Sequence, residues 1–242
     1  MIPKKIHYCW FSGDEFPDDI KKCIESWRKY LPDYEIIEWN AKNFDFNVNQ
    51  YVKEAYEAKK WAFVSDYARL YILYNEGGIY LDSDIEVLKS FNNLLENRAF
   101  TGFESKGVVA AWIFGSEKNN PIFKEFMDYY SDRHFKKENG TYDMTPNTVP
   151  ISKKCKEYGM KEENIQQKLK YITIYPEDYF CTKSIIDGKI RITENSYTIH
   201  HFGGGWQTTK GKIIKKIKYK LFTLIGAKYY PIIRNFYRNL FN

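Results

Sequence analysis

Two aspartates, Asp82 and Asp84, stand one residue apart in the stretch GGIYLDSDIEV at residues 77–87, inside what otherwise reads as a buried strand. Buried carboxylates are costly unless a cation, a proton or a set of hydrogen-bond donors accompanies them. A side-chain period of two predicts one strand with Ile79, Leu81, Ile85 and Val87 on one face and Tyr80, Asp82, Asp84 and Glu86 on the other. Two carboxylates on one face offer the hard oxygens that Mg²⁺ or Mn²⁺ takes together with phosphate oxygens and water. A calcium loop fits poorly, because it needs glycine at its sixth position, where Val87 stands. A phosphoaspartate-type phosphatase fits no better, since it wants Thr or Val where Glu86 stands.

A helix predicted over residues 51–75 leads into this strand and ends at Gly77 and Gly78, a pair suited to a left-handed C-cap. Its second half, WAFVSDYARLYILY, is apolar nearly all round, as a helix buried among other elements should be. Asp66 and Arg69 share a face there at i, i+3, and by themselves read as an intrahelical ion pair. Further upstream, IPKKIHYCWF reads as a first strand, with Ile6, Tyr8 and Trp10 on one face and His7, Cys9 and Phe11 on the other. PDDIKKCIESWRKYLPDY follows as a helix with Ile20, Cys23, Ile24, Trp27 and Leu31 in its stripe, and YEIIEW as a second strand. Strand, helix, strand is the opening of an α/β sheet.

Downstream, FTGFESKGVVAAWIFGS reads as buried strands, and NNPIFKEFMDYY as a helix capped by Asn120 with Pro121 at its first position. Polar residues 131–149 read as a mobile loop. YITIYP and KIRITENSYTIHHF read as strands, with a turn at Asp187 and Gly188.

The 242 residues, 43% of them apolar, suit one packed domain over residues 1–206 and a separate tail over residues 207–242. Cys9, Cys23, Cys155 and Cys181 show no CxxC spacing, so neither a zinc knuckle nor a disulfide framework is indicated. No run approaches a signal h-region or a membrane span, and the expected location is cytoplasmic. The net charge of +6 belongs to the tail, since nine lysines and arginines fall in residues 203–242 and no acid follows Glu194. Ile213, Ile217, Leu221, Leu224 and Ile225 form a helical stripe there, and residues 210–241 read as a basic amphipathic segment for an anionic membrane surface.

The ordered string SDYARLYILYNEGGIYLDSD resembles the sugar-binding, DXD-containing region of glycosyltransferase family 32, and more distantly the catalytic domains of glucosylating bacterial toxins. IPKKIHYCWFSG with PDYEIIEWN, and IHHFGGGW near residue 200, extend that resemblance. It implies a GT-A-like nucleotide-diphospho-sugar transferase fold, an α/β domain with a mixed central sheet flanked by helices. Carried over by position, it implies that Trp10 stacks on uracil, that Asp66 and Arg69 contact the donor sugar and phosphates, and that Tyr80 lies near the donor. Asp82 and Asp84 match the metal motif, and a histidine completes the metal shell. His201 is favoured over His200 for its spacing to Trp206, which is expected to close over the diphosphate. An imidazole ligand suits Mn²⁺ more than Mg²⁺.

The implied reaction is transfer of a hexose from a UDP-sugar, with retention, to a saccharide acceptor, expected to be lipid-linked and part of bacterial capsular polysaccharide synthesis on the inner face of the plasma membrane. Glycoside hydrolysis is disfavoured, since no second acid/base carboxylate pair is evident. Glu104, Asp143 and Asn147 are polar candidates for the acceptor, though as loop residues each is expected to be solvated. Two alternatives are a toxin-like protein glycosyltransferase and a nucleic-acid-binding protein using the basic tail. The second would show steep salt dependence, and no nucleic acid is expected as partner.

Overall fold

The computed structural model describes residues 1–184 and 187–203. The chain enters as β1 (Lys5–Cys9), crosses through α1 (Asp18–Tyr30) and returns as β2 (Glu35–Trp39), parallel to β1. Ile20, Cys23, Ile24 and Trp27 form the buried stripe of α1, with Asp18 and Asp19 in its first turn and Arg28 and Lys29 in its last, both favourable to the helix dipole.

Where the sequence predicts one helix over 51–75, there are two, α2 (Gln50–Glu57) and α3 (Trp61–Glu76). The break lies at Lys59, which takes a φ of 55° while its N–H and that of Lys60 bond back to the Tyr56 and Ala55 carbonyls. The helix α3 ends as expected at Gly77, with φ of 66° and its N–H on the Leu73 carbonyl. Gly78 follows at φ of 98°, and a Cβ there would stand 2.9 Å from both His7 Nε2 and the Lys5 carbonyl. Glycine alone fits that approach.

The remaining elements are β3 (Gly78–Leu81), β4 (Ile85–Val87), β5 (Ala99–Ser105), β6 (Val108–Val109), β7 (Ile113–Ser116), α4 (Pro121–Asp128), α5 (Thr148–Glu157), β8 (Gln167–Lys168), β9 (Thr173–Tyr175), α6 (Glu177–Phe180) and β10 (Thr198–His200). The central sheet runs β2-β1-β3-β7-β5-β9-β8 with β6 beside β5, and β4 pairs with β10 in a separate ribbon. Its β1–β3 and β5–β9 pairs are parallel and its β3–β7 and β5–β7 pairs antiparallel, so the sheet is mixed, as expected. One apolar core joins Phe63, Val64 and Leu70 of α3 to Tyr80 and Phe114, and the other joins Ile24 and Trp27 of α1 to Ile79, Leu81 and Ile113. Successive β3 residues thus feed opposite cores, the pattern of a sheet covered on both faces.

The single strand predicted over the aspartates is corrected by the structure. After Leu81 the Asp82 N–H makes one more bond, 2.9 Å, to the Trp112 carbonyl, and the Ile85 N–H then closes a turn on the Asp82 carbonyl at 3.1 Å. Asp82 and Asp84 therefore sit on a turn between two strands of different sheets. The helix α1 holds the second strand in place, since fully buried Trp27 donates its Nε1–H to the Ile85 carbonyl at 2.7 Å and Ser26 Oγ accepts from the Val87 N–H at 2.9 Å.

Residues 131–147 form no helix or strand, in keeping with the expected loop, and are mostly exposed but anchored at three buried points. Phe135, Asp143 and Asn147 are buried, Arg133 pairs with Asp143, and Glu54 accepts from the Lys136 N–H at 2.9 Å. Among the described residues no helix is long and apolar enough to cross a membrane. The proposed membrane-facing segment 210–241 and Trp206 lie outside the described residues.

Candidate active site at the carboxyl edge of the sheet

Because β1 and β3 are parallel, with His7 opposite Tyr80, their carboxyl ends open on the same edge. Trp10 follows β1 there and Asp82 follows β3. Ligands of open α/β sheets bind at such carboxyl edges. Trp10 is half-buried, its Nε1–H donating to the Asp14 carbonyl at 2.7 Å and its ring 4.9 Å from that of Phe16, so its plane is fixed before any ligand arrives.

Arg69 ties α3 to the turn. Only 5% exposed, it donates through Nε to the Ser65 carbonyl at 3.0 Å, through Nη1 to the Ala111 carbonyl, and through Nη2 to Asp66 Oδ1 and Asp82 Oδ1, both at 3.2 Å. Tyr80 completes this side, with its hydroxyl donating to Asp82 Oδ1 at 3.0 Å and its ring 4.9 Å from the guanidinium carbon. Each nitrogen of Arg69 is thus engaged within the protein. In this arrangement it fixes two carboxylates.

Burial raises the Asp66 carboxyl to about 6, against the pull of Arg69 and with help from the charge of Asp82. Burial also raises Asp82, again opposed by Arg69 and reinforced by Asp84. Asp84 goes the other way. Burial works to raise it too, but the charge and hydrogen bond of His200 and the Gly203 N–H, 2.7 Å from Oδ2, outweigh that and hold it at about 2.

Asp82, Asp84 and His200 each offer a ligand atom, and these atoms lie within 4.8 Å of one another. His200 Nε2 is 3.3 Å from Asp84 Oδ1, while Nδ1 is buried with no hydrogen-bond partner among the described residues. The structure therefore brings His200, not the favoured His201, to the aspartates. The reason is register. β10 pairs antiparallel with β4, the His201 N–H bonds to the Asp84 carbonyl at 3.1 Å, and the His201 ring turns to Glu86 at 2.8 Å. Neighbouring residues on an extended chain point opposite ways, and this pairing decides which one meets Asp84.

Two carboxylates and an imidazole this close together make a donor set that fits a divalent ion, and an imidazole ligand suits Mn²⁺ better than Mg²⁺. Trp112, whose ring lies 4.5 Å from that of His200, has no signal in the sequence that marks it for the site. Glu104 at the end of β5 is half-buried, and burial raises its carboxyl against the charge of His200. Asp143 and Asn147, expected in solvent, are buried at 5% and 4% exposure, and the Asn147 N–H lies near enough to Asp66 to pull its carboxyl down against burial.

Residues 17–101 match the family described as the glycosyltransferase sugar-binding region containing the DXD motif. An uncharacterized glycosyltransferase, L373, of Acanthamoeba polyphaga mimivirus is 31% identical over 158 residues, 61% of this chain and 61% of that protein. Inositol phosphoceramide mannosyltransferase 3 of Schizosaccharomyces pombe is 29% identical over 129 residues, 50% of this chain and 35% of that protein. The chain thus spans between about a third and six tenths of these relatives. In fold it is similar to the glycosyltransferase GlyE of Streptococcus pneumoniae TIGR4, at TM-score 0.51 and 11% identity over 89% of this chain and 60% of that one. Residues 17–101 are thus similar to a DXD-containing glycosyltransferase sugar-binding region, and the chain has an α/β fold of the GT-A type.

Proposed function

We propose that the chain is a metal-dependent glycosyltransferase that moves a hexose from a nucleotide-diphosphate sugar, UDP-hexose first among the candidates, to a saccharide acceptor. The observation that carries this reading is the convergence of Asp82, Asp84 and His200 within 4.8 Å, beside the Asp66–Arg69 pair. Asp82, Asp84 and His200 would hold the ion. When bound, the ion supplies positive charge where the leaving diphosphate gathers negative charge.

The protein's own groups account for the rest. Trp10, locked by Asp14 and Phe16, offers an indole face to the base. Asp66, held by Arg69, accepts from a sugar hydroxyl. Arg69 and Tyr80 aim Asp82, so that both carboxylates are in place before substrate enters and no reorganisation is needed at the moment of reaction. Trp206 is assigned the diphosphate on the family resemblance.

The acceptor is assigned on supporting observations of another kind. The fission-yeast relative is named for mannosyl transfer to inositol phosphoceramide, which favours an acceptor carried on a lipid. A basic stripe in residues 210–241 would bring such an acceptor within reach at an anionic membrane, and capsular polysaccharide synthesis is the bacterial setting that joins the two. The same relative's name adds a mannosyl donor to the candidates.

The test is release of free nucleotide from UDP-glucose, UDP-galactose and GDP-mannose, with and without Mn²⁺, in the native protein and in Asp84→Asn. Mn²⁺-dependent release from one donor, lost in the variant, is the expected result. Release from none, with no calorimetric binding of UDP or GDP, overturns the reading.

A further inference from the structure

Buried polar atoms in native folds are nearly all hydrogen-bonded, so those left over call for an explanation. Among the described residues the buried side-chain nitrogens and oxygens without a partner are Trp112 Nε1, Arg133 Nε, Asn147 Nδ2 and His200 Nδ1. They are not scattered. His200 belongs to the candidate metal group and Trp112 packs on its ring, while Arg133 and Asn147 both belong to the segment 131–149, whose Phe135 packs against Tyr51 of α2 and Phe63 of α3. The guanidinium of Arg133 is met by Asp143. Asn147 has no such compensation.

Asn147 is the residue before α5, where an asparagine ordinarily folds its side chain back to accept a main-chain N–H of the first turn. Here it makes no cap hydrogen bond, with φ of −65° and ψ of −19°. Its main-chain N–H lies near enough to the Asp66 carboxylate to oppose the rise of that group, and the residue is 4% exposed. The amide therefore starts beside Asp66, gives up its usual local partner, and keeps a buried donor free. A sugar hydroxyl can donate to a carboxylate and accept from an amide N–H at once, so it would satisfy both groups.

We propose that Asn147 Nδ2 donates to a hydroxyl of the transferred sugar, the same hydroxyl or its neighbour donating to Asp66, and that this pair selects the sugar of the donor. The inference rests on the glycosyltransferase reading above. It gives residues 131–149 a function as the wall of the sugar pocket. It also accounts for the orphan, because a site built to bond a hydroxyl rejects analogues that lack it far better than an apolar pocket can.

Calorimetry in the presence of Mn²⁺ tests it, with UDP, UDP-glucose, UDP-galactose, GDP and GDP-mannose titrated into the native chain, Asn147→Ala and Asn147→Ser. The expected result is unchanged affinity for the bare nucleotide and a loss of roughly tenfold or more for the preferred nucleotide sugar in Asn147→Ala, partly restored in Asn147→Ser. The ligand-free thermal midpoint should hold or rise, because the substitution removes a donor that had no partner. Equal loss for nucleotide and nucleotide sugar, or no loss, overturns the proposal. So does a fall of the ligand-free midpoint in both variants, which would make the amide a structural tie. If the native chain binds none of the five, the glycosyltransferase reading falls and this inference with it. Binding of nucleotide and sugar nucleotide that Asn147→Ala leaves intact sinks only the inference.

Discussion

The two aspartates of the D-x-D turn are held by halves of the site built in different ways. Asp82 belongs to the half anchored on α3 and β3, where Arg69 spends every nitrogen on Ser65, Ala111, Asp66 and Asp82, and Tyr80 adds a hydroxyl. Asp84 belongs to the half hung on the two-stranded β4–β10 ribbon, where His200 leaves Nδ1 without a partner among the described residues. The first half is complete without ligand and fixes geometry. The second keeps an unmet nitrogen on the ring whose Nε2 faces Asp84, and is the half proposed to take the ion.

The sharpest way to break this comparison is Arg69→Met. Removing one partner of a buried charge cluster leaves Asp66 and Asp82 uncompensated, at a cost of about 3–5 kcal/mol. Nucleotide-sugar turnover should fall by about a thousandfold or more, as expected when preorganised electrostatics are lost. Urea unfolding and nucleotide release measure the two effects. A variant as stable and as active as the native chain would mean that the α3 half is not the fixed frame described here.

Acid separates the fixed half from the sheet behind it. His7 on β1 is fully buried, with Nε2 2.9 Å from the Gly77 carbonyl and Nδ1 accepting the Trp39 indole N–H at 3.1 Å. Burial lowers its pKa from 6.5 to about 4. The folded state therefore refuses a proton that the unfolded state takes between those values, and stability present above pH 6.5 is lost as pH falls towards 4, by about 3 kcal/mol. Asp66 has the opposite sign, because its carboxyl is raised to about 6. Its contribution is fully present below its unfolded value and is lost as pH rises through 6. The two slopes oppose each other in the native chain, so the variants reveal them. Urea midpoints should show His7→Gln gaining on the native chain as pH falls from 7 to 4, and Asp66→Asn losing ground over the same range. Parallel curves for all three would remove both assignments.

How much of this was legible in the sequence follows from the same contrast. The fixed half could be read, because Asp66, Arg69 and the D-x-D pair lie within twenty residues and are positioned by local geometry, a helix and a glycine turn. The Gly77–Gly78 stop could be read too, since positive φ and close approach leave no other residue. The break at Lys59 could not, because lysine and alanine are good helix formers and neither marks a stop. The split of the predicted strand was hidden for a related reason. Period-two alternation continues through Asp82, Ser83 and Asp84 although the main chain turns there. The ribbon half depends on pairing between residues more than a hundred positions apart, which one sequence does not reveal. Asn147 and Asp143 read as solvent residues by type, and only the packing of residues 131–149 buries them.

The ribbon half is tested by exchanging the ligand that the structure brings in for the one expected from spacing. His200→Gln keeps a polar side chain but removes the imidazole, and Mn²⁺ affinity should fall on the order of 100-fold by calorimetry, since even outer-shell partners cost 10–100-fold. Stability should change little, because the ribbon is anchored independently by Trp27 and Ser26 of α1.

The smallest effect is predicted one residue on. His201 stands on the half-exposed surface with Nε2 2.8 Å from Glu86 Oε2, outside the group formed by Asp82, Asp84 and His200. His201→Ala removes a surface pair of the kind that contributes about 0–1 kcal/mol, so the urea midpoint should barely move. Mn²⁺ affinity should stay close to that of the native chain. What holds the turn at this point is the His201 main-chain N–H on the Asp84 carbonyl, and alanine keeps it. If His201→Ala loses more Mn²⁺ affinity than His200→Gln, the ribbon must re-register when the ion binds, and the two halves would then differ in mobility as well as in satisfaction.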